Sequence, residues 1–556
     1  MKDQYMLYGI NRVSKDFIYI FDEIIDIVGI VDNYGEKEDF AGKKVYKESI
    51  LNERQYKIII CDFDKRKRER SLINFGYRYK EDYFYEEDFF RLLDSWNIPE
   101  NRDIAVWGMG KIGSSFIERH PDLKIKYYID CKEQENAYLP EQINNWKSIF
   151  VIITTAKWME IADYLEKKGL AEGVDFVPYY QLENMPSELL KKTIFDQSCY
   201  DLQCETMLNH LEVLNQGNTS CCCTTFMDNR LGEVLHSDNI WESITHKILC
   251  LSSQNRTYSF CKKDMCPFFI GRNKIGSIDL DTPYKKMLDH PKVVAVAFDK
   301  SCNLHCQTCR KNVLIAQGKD ADNNSRLMQY IQDHLLDKCE LLIAAGDGEV
   351  FLSKYYKGIY LDPKCNDIPN IRLLTNGTLF NSTRWGEFIK NKTGKIYLTV
   401  SIDAATEETY KKIRCGGNFK ILRENMKFAS KLRKTGELGY FRINFVVQKN
   451  NYKEMIDFVK WGIELGCDEV FFTKILNWGT YTKEEFREIS MMKEDGITPK
   501  EELQKVLDDP IMKNPIVDIG TIQYSHKPVK EKYIENYYIW ELNREFKWEV
   551  FKYGNS

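Results

Sequence analysis

The chain lacks any uninterrupted apolar run approaching the roughly 18 residues that read as a membrane-crossing helix. Its opening segment, MKDQYMLYGINRVSKDF, has neither the basic region nor the apolar stretch of a signal peptide, so a cytoplasmic protein with no membrane partner is expected. It also lacks an excess of either charge: 79 Lys and Arg stand against 83 Asp and Glu, a net charge of -4, which gives no footing for a nucleic-acid partner. With 43% apolar and 29% charged residues the composition is that of an ordinary globular protein. At about 150 residues per domain, 556 residues imply three or four domains. What the chain does have is 17 cysteines, bunched at 199–266 and 302–309. In a reducing compartment such bunching points to metal ligation before disulfides.

The first 190 residues hold an internal repeat. MLYGINRVSKDF (6–17) is echoed by AVWGMGKIGSSF (105–116), IVGIVDN (27–33) by IKYYIDC (125–131), and YKIIICDFD (56–64) by SIFVIITTAK (148–157). Each copy reads as strand, Gly-rich turn, helix, strand ending in Asp, then a third strand, the order of a βαβ unit. We place the copies at 1–97 and 98–188. In the second, Gly108, Gly110 and Gly113 complete G-x-G-x-x-G and Asp130 follows twenty residues after Gly110; in the first only Gly9 and Asp32 remain. Such glycines let backbone N–H groups approach a pyrophosphate while the carboxylate takes ribose hydroxyls, so a nucleotide or nucleotide-sugar is one reading of the second copy. The other is a tight turn and close helix packing with no ligand, and the first copy favours it. Both copies resemble the small Rossmann-like modules found beside sugar-modifying enzymes of polysaccharide pathways.

From about 190 the texture changes. Residues 189–285 carry polar turns, short apolar runs and most of the remaining cysteines. From 286 to 480 apolar strands at 293–298, 340–345, 371–375, 396–401, 440–447 and 469–475 alternate with helical segments such as 325–339 and 452–465, which predicts a parallel α/β domain of six strands, barrel-like in its alternation. In that architecture chemistry collects at the C-terminal strand ends. Residues 481–556 are charged, aromatic and helix-like, and are expected to form a helical extension.

SCNLHCQTCR (301–310) follows the first of these strands and places Cys302, Cys306 and Cys309 in a C-x3-C-x2-C spacing. A tetrahedral zinc would want a fourth ligand, and His305, inside the loop, is an awkward one. A [4Fe-4S] cluster held by three thiolates leaves one iron without a protein ligand. The triad resembles that of the radical S-adenosylmethionine (radical SAM) superfamily. The resemblance implies a partial (β/α)6 barrel and an open iron chelated by S-adenosylmethionine. AGDGEVFL (345–352) resembles the family's Gly-Gly-Glu segment, which carries Gly346, Gly348 and Glu349 over as contacts to the methionine ammonium, with Asp347 interrupting the glycine pair. LLTNGTLF (373–380) and SIDAATEETYKKIRCGGNF (401–419) carry over Asn376, Ser401 and Asp403 as polar contacts and Arg414 as a charge near the carboxylate. The strand-five segment FVVQKNN (445–451) fits the adenine side. The residue before the third cysteine is commonly aromatic in the family and is Thr308 here. Asn477 and Trp478, after the sixth strand, are placed to meet a substrate.

Upstream, Cys204, Gly217 and Cys222, then Cys261 and Cys266, resemble the auxiliary-cluster segment called SPASM, or its shorter form twitch, with LGEVLHSDNIWESI (231–244) as its linking stretch. The segment precedes the barrel, where the usual order places it after. The resemblance implies one auxiliary [4Fe-4S] cluster on Cys204, Cys222, Cys261 and Cys266, the choice among Cys221, Cys222 and Cys223 being open by one position. Four thiolates are also a zinc set. Cys61, Cys131, Cys199, Cys250, Cys339, Cys365, Cys415 and Cys467 read as ordinary thiols.

The resemblance implies an enzyme that reductively cleaves S-adenosylmethionine and abstracts hydrogen, fed by an electron donor such as flavodoxin or ferredoxin. The tandem modules lean toward oxidation or epimerisation of a small carbohydrate-like or nucleotide-sugar substrate. Peptide or protein modification is the runner-up, and a nucleotide-binding regulatory protein with an inactive barrel is the third reading.

Overall fold

A computed structural model describes residues 3–33, 37–95, 98–99, 101–131, 137–155, 158–227, 229–236, 239–263, 266, 268–269, 272–344, 348–477, 480–522 and 533–534. The chain forms two compact units. One comprises Met1–Cys199 with Ser243–Phe260 and Ile275–Lys286; the other comprises Tyr200–Glu242, Cys261–Lys274 and the rest from Met287. Residues 189–285 are thus divided between them. No helix among the described residues is long and apolar enough to cross a membrane.

In the first unit the repeat becomes two sheets with parallel centres, the first carrying an antiparallel edge strand at Asp39–Phe40. Gln4–Tyr8 lies between Asp26–Val31 and Lys57–Ile60, and Asp103–Trp107 lies between Ile125–Ile129 and Ile149–Ile153. In each copy a helix follows the first strand. Arg12–Phe21 starts on a reciprocal cap between Asn11 and Ser14, whereas Lys111–Arg119 starts at Gly110 with no side-chain cap. Gly9 and Gly108, with φ of 122° and 114°, turn the chain from strand to helix in a region that strains any other residue.

The helix Ile244–Gln254 packs in this same unit through a buried polar cluster. Asn255 Nδ2 donates to Asp16 Oδ2 (2.8 Å) and the Tyr284 hydroxyl to Asp16 Oδ1 (2.5 Å), while Lys15 Nζ donates to the Thr282 carbonyl (2.6 Å). Burial raises the Asp16 carboxyl to about 6, against the opposing pull of Arg12 and these hydrogen bonds.

The second unit is built on one ten-stranded sheet. Its order is Gly232–Glu233, Asn218–Ser220, His210–Leu214, Val293–Ala297, Leu341–Ala344, Asn370–Thr375, Lys395–Ser401, Tyr440–Val447, Glu469–Lys474, Val517–Asp518. From His210–Leu214 onward every pairing is parallel. The six central strands lie within a residue or so of the expected ones, since β-branched and aromatic runs between turn signals mark buried parallel strands. Their helices follow suit: Gly318–His334 begins seven residues before the expected 325. Ile371, Leu373, Leu398, Val400, Phe441, Ile443, Phe445 and Val447 are buried on one face, while Arg372, Thr399, Arg442 and Asn444 alternate onto the other.

Two features differ from expectation. The segment expected to form a separate auxiliary domain contributes three strands to this sheet, with His210–Leu214 running parallel beside Val293–Ala297. A short apolar run cannot by itself say which edge it will join. The aromatic C-terminal stretch expected as helix contains a strand, Tyr533–Ile534, which pairs with Gln203–Cys204; residues 523–532 and 535–556 lie outside the described residues.

Candidate functional site

Parallel strands in register all end at one edge of the sheet, and the loops leaving that edge carry the unusual residues. The first loop is organised by Asp299, which is fully buried. Its Oδ1 accepts from Ser301 N (3.0 Å), Ser301 Oγ (2.8 Å) and Asn324 Nδ2 (3.0 Å). Cys302 N then donates to the Leu314 carbonyl, and Cys309 and Arg310 both donate their N–H to the Cys306 carbonyl (2.9 Å each), so the loop closes on itself. Cys302 and Cys306 are buried and Cys309 is exposed, all three as free thiols.

Each sulfur has N–H donors near it. Leu304 N lies 3.5 Å and Asn376 Nδ2 3.8 Å from Cys302 Sγ, Arg414 Nη1 lies 3.9 Å from Cys306 Sγ, and Arg310 lies 3.2–3.3 Å from Cys309 Sγ. Burial pushes the Cys302 and Cys306 thiols up, and Arg414 partly opposes this at Cys306. Thiols both buried and supplied with donors form a set that suits thiolates held by a cationic centre.

The strand after it meets this loop by backbone. Glu349 N donates to the Ser301 carbonyl (2.8 Å), and a Cβ on Gly348 would stand 2.2 Å from the Asp299 carbonyl oxygen. Glycine is therefore required at 348 by close approach. The Glu349 carboxylate is buried and turned to the next strand end, accepting from Thr375 Oγ1 (2.6 Å), Asn376 N (2.7 Å) and Phe351 N (3.1 Å). Burial nonetheless leaves its carboxyl raised. Gly346 and Asp347 lie outside the described residues.

Asn376 completes the tie: its Nδ2 donates to Asn303 Oδ1 (3.0 Å) inside the cysteine loop. Ser401 is half-buried at its strand end. Asp403, at a positive φ of 65°, accepts from Val446 N (2.8 Å) and pairs with Arg414 Nη2 (2.7 Å), the carboxylate being buried and the guanidinium half-buried. Burial raises the Asp403 carboxyl against that pairing. The two residues carried over separately thus face each other, and Arg414 Nε is buried without a partner. Thr308 gives its carbonyl to Thr480 Oγ1 (3.5 Å); Asn477 hydrogen-bonds with Tyr481, and Trp478 lies outside the described residues. His305 donates its N–H to the Cys415 carbonyl, and its ring faces Gly416.

Cys204, Cys222, Cys261 and Cys266 come together from separate segments. After burial, the causes that raise the Cys222 thiol are Cys261, Cys223, Cys204 and Cys266; for Cys261 they begin with Cys266 and Cys204, and for Cys266 with Cys204. Cys222 therefore lies near all three of the others, while Cys221 also acts on Cys261 and Cys223 on Cys222 and Cys266, so all three consecutive cysteines share this neighbourhood. The local scaffold is a bridge between Met227 and Cys261, Lys262 N donating to the Phe226 carbonyl, and Cys266 N donating to the Lys262 carbonyl. Cys222 and Cys266 are buried and Cys204 and Cys261 half-buried, and thiols this close are unfavourable as thiolates until a positive centre joins them. Among the described residues no group of three or more His, Cys, Asp or Glu is placed to hold a single metal ion. A zinc draws its sulfurs close, at about 2.3 Å each, whereas a cubane spaces them with its own iron and sulfide.

In the first unit, Asp32 Oδ2 accepts from Ile10 N (2.9 Å) and from Arg68 Nη2 (2.9 Å), whose Nε reaches Asp62 (3.2 Å). Asp130 Oδ2 accepts from Met109 N (2.9 Å). Both aspartates therefore brace the glycine turn. A Cβ on Gly113 would lie 1.8 Å from the Gly108 carbonyl oxygen, while Gly110 has nothing within 4 Å.

Sequence reasoning passed over Asp299, Asn303, Thr375 and Asn324, which hold the cysteine loop in place. The one local signal was the Asp-x-Ser turn at 299–301.

No protein-family model matches the sequence, and no curated protein does. Solved structures match in part. SuiB of Streptococcus suis bound to S-adenosylmethionine is 19% identical over 35% of this chain and 43% of its own, with a TM-score of 0.27. The anSMEcpe protein with bound AdoMet is 19% identical over 36% of this chain and 53% of its own, also at 0.27. GsuK bound to ADP is 14% identical over 35% of this chain and 70% of its own, at 0.12. The chain spans under half the length of SuiB and about half that of anSMEcpe.

Proposed function

We propose that the second unit is a radical SAM catalytic unit acting on a peptide or protein substrate. One observation carries the chemistry: three thiols with N–H donors, the backbone at 348–349, the Glu349–Asn376 tie and the Asp403–Arg414 pair all gather at one edge of a parallel sheet. Cys302, Cys306 and Cys309 would hold a [4Fe-4S] cluster, with Asn376, Ser401, Asp403 and Arg414 near its cofactor. When bound, the cluster and S-adenosylmethionine supply reductive cleavage to a 5'-deoxyadenosyl radical, which removes hydrogen from an unactivated C–H bond.

The chain's own residues orient and insulate. Glu349 fixes the second and third strand ends relative to each other. Arg414, balanced by Asp403, presents a half-buried positive charge beside Cys306, favouring its thiolate. With Thr308 in place of an aromatic side chain, the adenine would be held by backbone contacts. Cys204, Cys222, Cys261 and Cys266 would hold a second, fully ligated cluster, suited to electron transfer and not to binding S-adenosylmethionine.

For the substrate, the carbohydrate reading drew on two nucleotide-binding-like modules. In the first of these Arg68 and the turn occupy the acidic residue. Solved structures that resemble part of the chain were obtained with the precursor peptide SuiA and with the Kp18Cys peptide. The peptide reading is the better supported.

The test is anaerobic reconstitution followed by assay of 5'-deoxyadenosine under a strong reductant. Production that disappears in Cys306→Ala is expected; an inert wild-type protein would return the chain to the regulatory reading. Turnover of peptides but not of nucleotide-sugars separates the two substrate classes. Nucleotide binding lost on Gly110→Val would restore a ligand role for the second module.

A further inference from the structure

Around Cys306, the Tyr410 hydroxyl, His305 Nδ1 and Arg414 Nε are buried atoms with no hydrogen-bond partner among the described residues. Tyr410 is the unusual case, because its whole side chain is buried. A tyrosine hydroxyl withdrawn from water ordinarily finds a partner, and leaving it without one costs free energy. By contrast, the buried Tyr356 hydroxyl donates to the Asp299 carbonyl (3.2 Å) and that of Tyr440 to Glu469.

Packing fixes where the Tyr410 hydroxyl lies. The residue is on the helix Glu407–Ile413, and its ring packs against that of Phe419 with centroids 5.3 Å apart. A Cβ on Gly417 would stand 2.8 Å from its hydroxyl oxygen, which places that oxygen beside the turn closed by Gly417 N donating to the Arg414 carbonyl (3.0 Å). The same turn reaches the cysteine loop. His305 N donates to the Cys415 carbonyl (3.0 Å), and Arg414 Nη1 lies 3.9 Å from Cys306 Sγ. Burial raises the pKa of the hydroxyl, Arg414 opposes this, and Cys306, Asp403 and Glu349 add to it, so the hydroxyl lies within electrostatic reach of all four. It keeps its proton and is available as a donor.

We propose that the Tyr410 hydroxyl is a hydrogen-bond donor to a sulfur of the cluster held by Cys302, Cys306 and Cys309, and that it tunes that cluster's reduction potential. The inference rests on the cluster reading above. Reduction adds negative charge to the cluster sulfurs, so a donor beside them favours the reduced form and raises the potential. Removing the donor lowers it.

The test is Tyr410→Phe in the full chain, which removes one oxygen and keeps the ring. After anaerobic reconstitution, a reductive titration is followed by electron paramagnetic resonance at the cluster whose signal responds to S-adenosylmethionine. That cluster should be about tenfold harder to reduce in the variant, a fall of about 59 mV for one electron, with its iron content equal to the wild type's. The apoprotein gives a second readout. There the variant should resist urea as well as the wild type or better, because the hydroxyl it loses has no partner, while loading with the cluster should stabilise the variant less than the wild type. An unchanged potential in a variant with full iron overturns the proposal. A less stable apo variant would assign the hydroxyl to the scaffold, and weaker S-adenosylmethionine binding at an unchanged potential would assign it to the cofactor; either result overturns it. Failure of the cluster reading itself looks different: the wild-type protein takes up no iron that Cys306→Ala removes.

Discussion

The two cysteine groups solve one problem in opposite ways. Cys302, Cys306 and Cys309 lie within eight consecutive residues, and the loop that carries them is closed by its own backbone hydrogen bonds. Cys204, Cys222, Cys261 and Cys266 are spread over 63 residues and meet only because distant segments pack together. A loop-borne triad can leave one face open to a small molecule, whereas an enclosed group of four, facing inward from separate segments, is filled by the protein. Openness therefore follows from the locality of the ligands, and it separates the proposed catalytic centre from the proposed auxiliary one.

The sharpest way to break this contrast is Cys306→Ala. It should abolish 5'-deoxyadenosine formation and lower iron from about eight to about four per chain, as measured after anaerobic reconstitution. Cys261→Ala should remove the same amount of iron but leave some cleavage of S-adenosylmethionine; complete loss would show that the enclosed group is needed for the first step. Four irons with a zinc in the wild type would end the auxiliary-cluster reading.

Smaller effects test the scaffolds. Gly348→Ala pushes a Cβ against the Asp299 carbonyl and should destabilise the second unit by about 2 kcal/mol in denaturant melts. Gly110→Ala, with open space around it, should stay within about 0.5 kcal/mol. The first unit offers a pH control. Asp16 has its carboxyl raised to about 6 in the folded state, so the native chain binds its proton more tightly than the unfolded one. Its contribution is present in full at low pH and is lost as pH rises through about 6. Unfolding of the first unit at pH 5 should thus need more denaturant than at pH 7.5, by on the order of 1 kcal/mol, and Asp16→Asn should flatten that difference. Acid that releases iron from the cysteine groups acts in the opposite direction, so the two units can be told apart.

Much of the fold was legible. The six central strands of the second unit and the tandem βαβ modules were marked by apolar runs between turn residues, because a buried parallel strand is enriched in apolar residues even where one face also carries side chains such as Arg372 and Arg442. What was not legible was the use of His210–Leu214 as a neighbour of Val293–Ala297, or of Tyr533–Ile534 as a strand: short segments take their conformation from the edge they meet. At the site, the cysteine spacing was visible, but the role of Asp299 was not, since one aspartate after a strand looks like any turn residue until Ser301 and Asn324 converge on it. The first copy, with Gly9 alone, read as a turn without a ligand, but nothing in its glycine pattern announced that Arg68 reaches Asp32 from a different helix.

The sequence by itself determined the locally encoded features: the strand–helix alternation, the repeat, and the C-x3-C-x2-C spacing, which lies within eight consecutive residues. Only the tertiary structure decided which distant groups face each other, namely Cys222 toward Cys204, Cys261 and Cys266, Asp403 toward Arg414, and Glu349 toward Thr375 and Asn376. The reason is physical. Backbone preference acts over a few residues, whereas the desolvation and pairing of buried charges are fixed by packing between segments far apart in the chain.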